Sequence, residues 1–404
     1  MGISKINTED EFLLKEDKKI SVALMSTFVI LTAQYLILIF FNLFGSNMAS
    51  RIQLLSKGIV GLVFVYAIPA VLRRNTVKFI FVYFTSTIVI MFHYLIFENN
   101  RPYITDMLFP IYTMSLPCFI YALSIRDFSV FKSIMKKAGN VVFIIGFIVA
   151  VFVFTGRISF EGYSMAFSNY MLLPAIVFID DLLDKYSFKM LILFILTLII
   201  ILSVGSRGAI LCLVVFAILK FFKRGGKRSY LRLIGNVCFI GSALLLLIFS
   251  DKIIMYLYSF IGGFGINSRT LRLFLSKDLY LSGRDRIYDK VLSEISEHLL
   301  FGIGIGGDRY ILNGAYSHNI FIEIIANFGI FIGGIIIILI FICIIKALLQ
   351  KNSLNYSIIA IWLCIGFVHF MVSNSYIVDM RFWIFLGVLL NIEWINPKMK
   401  GEGL

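Results

Sequence analysis

Apolar runs of roughly twenty residues recur along this chain, from near Ile20 to near Trp394. A helix needs about 20 apolar residues to cross the hydrocarbon core of a bilayer. Inside that core a backbone must satisfy its own hydrogen bonds, which leaves helices or a closed barrel. The chain therefore reads as an all-α polytopic membrane protein. Helices are expected near 20–44, 55–72, 77–97, 104–124, 139–155, 168–184, 188–204, 206–222, 231–249, 318–345, 355–377 and 380–395, about 12 in all. The 168–184 run is set apart by its acidic end, and 380–395 is short. With 60% hydrophobic residues, against about 45–50% in soluble domains, the composition agrees.

The formal net charge of +14 suits either nucleic-acid binding or a membrane protein with basic cytoplasmic loops. The charges sit in short segments between apolar runs, which selects the second reading and leaves nucleic acid out. With the N-terminus inside, the inward segments carry 23 Lys and Arg and the short outward segments carry 6. Both termini are thus expected in the cytoplasm, and the long segment 250–317 outside. The expected organisation is a cytoplasmic tail over 1–19, nine helices over 20–249, an extracytoplasmic loop over 250–317, three helices over 318–395 and a cytoplasmic tail over 396–404. No cleavable signal peptide is read, because the first apolar run is too long for one. Cys118, Cys212, Cys238, Cys343 and Cys364 all lie in apolar runs and read as small buried hydrophobes.

Within the long loop, Asp285–Leu299 places Ile287, Val291, Leu292, Ile295 and Leu299 at helical spacing. This predicts an amphipathic helix over the membrane surface or the bundle. GIGIGG (Gly302–Gly307) follows. It lacks the GK[ST] ending of a phosphate loop and reads as a flexible outer turn.

Polar groups at helix ends are the informative ones in such a chain. Arg207, flanked by Gly205, Ser206, Gly208 and Ala209, is either an interfacial anchor or a ligand-facing cation with room around it. Arg284 and Arg286 either pair with Asp285 and Asp289 or face a ligand. His318 opens a helix whose Asn319, Glu323 and Asn327 form a polar stripe at i, i+4 and i+8. Such a stripe lines a cavity or a helix contact, because lipid would not solvate it. The helix N-terminus and the nearby arginines should keep His318 neutral and able to accept a proton. His93 and His369 read as packed within the bundle. Arginines make bidentate contacts with phosphate oxygens, and the phosphate carrier available in a membrane is a lipid. No DxD, HExxH or His/Cys cluster occurs, so no metal or cofactor is implied.

The series SRGA (Ser206–Ala209), GRDRIYDKVLSEISEHLLFGIGIGGDRY and SHNIFIEIIANFGIFIGG resembles the O-antigen ligase and polymerase superfamily over roughly Leu202–Gly334. The resemblance implies a membrane-embedded, inverting, metal-independent glycosyltransferase. It would move glycan from undecaprenyl diphosphate to an acceptor hydroxyl at the outer face of the cytoplasmic membrane. It gives His318 the role of general base, and Arg207 and Arg284 that of gripping the diphosphate. Arg286, Arg309 and Arg381 are further candidates, and Asn319 and Glu323 would orient His318 or the acceptor. His318, Arg207 and Arg284 are expected to converge on one outward-facing cavity. The implied partners are the lipid-linked oligosaccharide, membrane lipids, and chain-length regulator and flippase proteins. Between the two activities, the Phe and Ile content and the divergent N-terminal half favour polymerase. Ligase, and a polysaccharide or lipid transporter, remain as alternatives.

Overall fold

Backbone that cannot bond to water coils into helix wherever the sequence allows. The computed structural model describes residues 8–43, 45–155, 165–204, 207–223, 250–263, 271–272, 275 and 284–395. Among them every regular element is helical. Six helical stretches are long and apolar enough to cross a membrane: Glu11–Phe40, Asn47–Ile96, Glu98–Leu123, Phe128–Phe154, Ile320–Leu348 and Ser353–Met371. The helix expected at 231–249 lies outside the described residues.

The first elements are α1 (Thr8–Phe40), α2 (Asn47–Ile96), α3 (Arg101–Pro110), α4 (Leu116–Leu123) and α5 (Phe128–Phe154). The two runs expected at 55–72 and 77–97 are joined in α2, which has 50 residues. At 1.5 Å per residue that is about 75 Å, more than twice a hydrocarbon core. The helix breaks at Asn75, whose φ and ψ of −147° and 40° are not helical. Between α3 and α4 a π-turn spans Ile111–Ser115. Next come α6 (Met165–Asp184), α7 (Phe188–Val204), α8 (Arg207–Lys223) and α9 (Ser250–Gly262). The last group is α10 (Arg284–Glu297), the short α11 (Gly307–Ile311), α12 (Ile320–Leu348), α13 (Ser353–Gly366) and α14 (Met380–Leu390).

Two compact units result: Met1–Leu31 with Ser50–Gly139 and Leu281–Leu404, and Thr32–Ala49 with Asn140–Tyr280. In the second, the acidic end of α6 receives a cation. Lys220 of α8 lies 2.7 Å from Asp180 and 2.6 Å from Asp184. Tyr35 stacks on Phe167 at 5.7 Å, and Phe143 meets Phe178 edge-on at 5.4 Å.

In the first unit, α14 lies against α4 and α13 at close range. A Cβ on Gly387 would sit 2.5 Å from the Phe119 carbonyl oxygen, and one on Gly366 would sit 2.5 Å from that of Arg381. Small residues let apolar helices approach so closely, which is how helices gain packing energy in lipid. Trp362 is fully buried, stacked on Phe131 at 5.9 Å and edge-on to Phe28 at 6.0 Å. The four described cysteines, Cys118, Cys212, Cys343 and Cys364, are buried and form no disulfide among the described residues. Cys238 lies outside the described residues.

One end of this unit gathers residues 16–17, 73–75, 124–126, 350–355 and 391–393. Arg74, 2% exposed at its side chain, bonds Glu16 at 2.9 Å, Asp17 at 2.5 Å, and the carbonyls of Leu13 and Ser124. Arg73 also reaches Glu16, and Asn391 donates to the carbonyls of Ala122, Leu123 and Ile125. Residues 8–19 are thus already helical, with Glu16 and Asp17 buried, ahead of the first expected span.

Candidate functional site

The opposite end of the first unit carries most of the sequence-selected residues. Asn319 caps α12: its side-chain oxygen accepts from the backbone N–H of Phe321 at 2.9 Å and Ile322 at 3.3 Å. This satisfies two of the donors that every helix start leaves open. Directly before the cap, His318 adopts a left-handed backbone, φ 57°. That conformation is uncommon for a side-chain-bearing residue and marks a position the surroundings enforce. The imidazole is half-buried, lies against Tyr316 with ring centroids 4.2 Å apart, and leaves its buried Nδ1 without a hydrogen-bond partner among the described residues.

Burial lowers the His318 pKa, and the Arg284 guanidinium lowers it further, from 6.5 to about 4. Each cause disfavours the imidazolium. Neutrality was expected from the helix terminus and nearby arginines; burial is the larger cause.

Glu323, one turn into α12, has no solvent exposure. It accepts from the Ser375 hydroxyl, from the backbone N–H of Tyr376 at 3.1 Å, and from Arg309 at 3.5 Å. Arg309, on α11, also donates to Ser375 Oγ at 2.7 Å and to Asp308 at 3.2 Å. Asp308, fully buried, accepts from the backbone N–H of Ser317 at 3.0 Å. The chain Glu323–Arg309–Asp308–Ser317 therefore fixes the backbone immediately before His318. Asn327 donates to the Tyr376 hydroxyl at 2.9 Å. The polar stripe on α12 faces a protein segment: Ser375 and Tyr376 supply its partners.

Arg381 opens α14 and forks onto Asp379, with Nε–Oδ1 2.9 Å and Nη2–Oδ2 2.5 Å. Burial raises the Asp379 pKa, but the charge and hydrogen bonds of Arg381 outweigh it and the net shift is down. Asp379 also accepts from Asn374, which in turn accepts from the Tyr316 hydroxyl at 3.4 Å.

The amphipathic helix expected over Asp285–Leu299 is α10. Val291 and Ile295 are buried and pack with Ile303 and Ala326. Arg284, at its first turn, is half-buried and Arg286 is exposed. Among the described residues neither makes an ion pair with Asp285 or Asp289.

GIGIGG differs from the flexible turn expected of it. Residues 302–307 are buried. Gly302, Gly304 and Gly306 take φ of 69°, 79° and 80°, which only glycine enters without strain. The Ile305 N–H donates to His93 Nδ1 at 3.1 Å, and Asn100 donates to the Ile303 carbonyl at 2.8 Å. The run docks where α12 breaks at Gly329, φ 74° and ψ 175°. There Ile303 N–H bonds the Ala326 carbonyl at 2.7 Å, and Ile330 N–H bonds that of Leu299 at 2.9 Å. The loop thus takes up backbone groups that the break in the helix sets free.

Below the polar cluster an apolar cavity of about 460 Å³ runs between α2, the π-turn, α12 and α14. Ile305 and Tyr376 line one part; Ile324, Phe328, Trp383 and Leu390 line the rest.

The first unit thus contains His318, Arg284, Arg286, Arg309, Asn319, Glu323 and Arg381. Arg207 belongs to the second, where it is the first residue of α8. Sequence reasoning passed over Asp308, Ser375, Tyr376 and Asp379. Asp308 lies nine residues before Ser317, while Ser375 and Tyr376 lie about fifty residues from Glu323, beyond the reach of any local pattern.

Residues 192–338 match the family model described as O-antigen ligase. The resemblance over Leu202–Gly334 falls within that span. Members of the family transfer sugar polymers and act on lipid-linked polysaccharide. No curated protein matches the chain.

Proposed function

We propose that this chain is a polysaccharide polymerase that joins undecaprenyl-diphosphate-linked repeat units at the outer face of the cytoplasmic membrane, for O-antigen, capsule or exopolysaccharide. The observation that carries the reading is His318: a neutral imidazole with an open nitrogen, fixed at a helix start beside Arg284. A hydroxyl of the acceptor sugar gives its proton to His318 as its oxygen attacks the anomeric carbon. The bond from that carbon to the diphosphate oxygen breaks, and the diphosphate leaves with the electron pair. Attack opposite the leaving group inverts the anomeric centre. Arg284 and Arg207 neutralise the departing charge, which bidentate guanidiniums do without a metal. Arg286 and Arg381 assist in binding. Arg309, Asn319 and Glu323 hold the loop and helix start that present His318.

The apolar cavity below the cluster suits the prenyl tail of the carrier. Topology follows the same reading: the end holding Arg74 and Asn391 is cytoplasmic, with both termini, and the end holding His318 faces out. In its support, the segments that basic-residue bias assigns inside gather at one end of the first unit. Those assigned outside gather at the other.

The ligase reading has one observation of its own, the matched family model, which is described as O-antigen ligase. Polymer length on a gel separates the two. A deletion strain complemented with wild type should show a ladder of long chains, and His318→Ala a single repeat unit, with both proteins equally present in the membrane. Long polymer on the lipid carrier but none on the acceptor in the deletion strain would make the chain a ligase. A wild-type ladder from His318→Ala would refute the assignment of the base.

A further inference from the structure

A second cavity of the first unit, about 700 Å³, lies between the C-terminal end of α2, the end of α10 and the break in α12. Phe92, Phe97, Leu299, Leu300, Phe301 and Ile332 supply its apolar walls. Four of them, Phe92, Leu300, Phe301 and Ile332, are more than half exposed, so the cavity has an open side. In a chain that spans a membrane, such side chains meet lipid tails, which are as apolar as leucine.

Two polar features interrupt these walls. The first is His93, only 6% exposed. Its Nδ1 accepts the Ile305 N–H at 3.1 Å, and an accepting Nδ1 leaves the ring proton on Nε2. One ring face is stacked on Phe97 at 5.5 Å, and Phe328 meets the ring edge-on at 5.6 Å. Nε2 has no partner among the described residues and, unlike the nitrogens of His369, is not sealed from solvent. A donor therefore opens on a cavity that is otherwise mostly hydrocarbon. The second feature is the mouth, where Glu297 and His298 end α10. Glu297 forms no ion pair among the described residues, and no Lys or Arg is among those that line the cavity. The one permanent charge on the lining is thus the Glu297 carboxylate. That sign disfavours a prenyl diphosphate, which suits the arginines near His318 instead.

We propose that this cavity binds one bilayer phospholipid whose headgroup ends in an ammonium, of the phosphatidylethanolamine type. An acyl chain lies along the apolar walls, an ester carbonyl accepts from His93 Nε2–H, and the ammonium meets Glu297. Tail, acceptor and cation are the complements of the three kinds of group on the lining, the usual make-up of a lipophilic site. The lipid also bears on the docked loop, because Gly302 lines the cavity and His93 holds Ile305. The proposal requires only that the chain spans a membrane, and it stands or falls apart from the transferase reading.

The test titrates dioleoyl phosphatidylethanolamine, and separately dioleoyl phosphatidylglycerol, into the detergent-solubilised full chain and reads the first lipid retained by native mass spectrometry. The wild type should prefer the ethanolamine lipid by about threefold or more, the scale of an exposed ion pair. Glu297→Gln, a change at an exposed position, should bind the two alike. A diether phosphatidylethanolamine, which has no carbonyl oxygens, should bind the wild type about fivefold more weakly, the usual worth of a hydrogen bond. Leu300→Trp combined with Ile332→Trp narrows the cavity and should weaken both lipids about tenfold or more. Should that double variant fold poorly, Glu297→Gln and the diether lipid still decide. Equal binding of the two headgroups by the wild type, equal binding of ester and ether lipids, or wild-type affinity in a folded double variant would each overturn the proposal. Tighter binding of farnesyl diphosphate than of either phospholipid, lost in the double variant, would overturn it in favour of a substrate site.

Discussion

The two ends of the first unit are built from the same kinds of residue and put them to opposite use. At the end holding Arg74, charge is closed on itself: the guanidinium bonds two carboxylates and two carbonyls and is almost entirely buried. At the end holding Arg309, a similar knot joins Asp308, Glu323 and Ser375. Around it, however, His318 Nδ1, both nitrogens of His369 and Asn327 Oδ1 are left open, whereas the residues named at the Arg74 end leave only Asn355 Oδ1 open. A closed network rigidifies; a network with open members is costly unless something else completes it. The difference separates an end that closes its charges on one another from one that keeps several buried polar groups unmet.

The sharpest way to break that comparison is to cut both knots. Arg74→Met should destabilise by about 3–5 kcal/mol, because it leaves the buried Asp17 without its cation, and Glu323→Gln by less, because Arg309 keeps Asp308. Thermal unfolding in detergent measures that loss. Polymer formed per folded molecule should survive in Arg74→Met and fall in Glu323→Gln, which releases the loop before His318. Equal activities in the two variants would erase the distinction between the ends.

A smaller effect is expected at the break in α12. Gly329 has φ 74°, and a Cβ there would lie 2.1 Å from the Leu300 carbonyl oxygen. Gly329→Ala should cost about 3 kcal/mol, from a left-handed backbone and an overpacked contact together. Gly334→Ala is the control, since a Cβ there meets nothing within 4 Å. Equal melting temperatures for the two would mean that the loop does not dock on the break.

The mildest test is pH. The folded His318 pKa is depressed to about 4, so as the proposed base it stays neutral well below 6.5 and is lost as pH falls through about 4. The acid limb of the turnover profile should sit there. Arg284→Gln removes one of the charges that hold the pKa down, so its limb should move up in pH, whatever its overall rate. An acid limb near 6.5 in the wild type would indicate a solvated histidine, and the contrast with the closed end would weaken.

Much of the fold was legible because desolvated backbone leaves so few options. Apolar runs of bilayer length announced the helices, and apolar spacing in Asp285–Leu299 announced α10 and its buried Val291 and Ile295. The stripe of Asn319, Glu323 and Asn327 was correctly read as facing away from lipid. Its members turned out to do different work: one caps a helix, one binds an arginine and a serine, and one binds a tyrosine. GIGIGG was misread because glycine content signals backbone freedom, and the docking partner that uses it up, the break at Gly329, is more than twenty residues away.

The sequence by itself determined a helical membrane chain, a bias of positive charge to alternate segments between the apolar runs and a histidine at a helix start, since each follows from local composition and period. Only the tertiary structure decided that Asp308, Arg309, Glu323 and Ser375 form one buried knot, and that both nitrogens of the packed His369 stay open among the described residues. Those facts depend on which distant segments supply, or fail to supply, hydrogen-bond partners, and a pattern of periods 3.6 residues long carries no information about that.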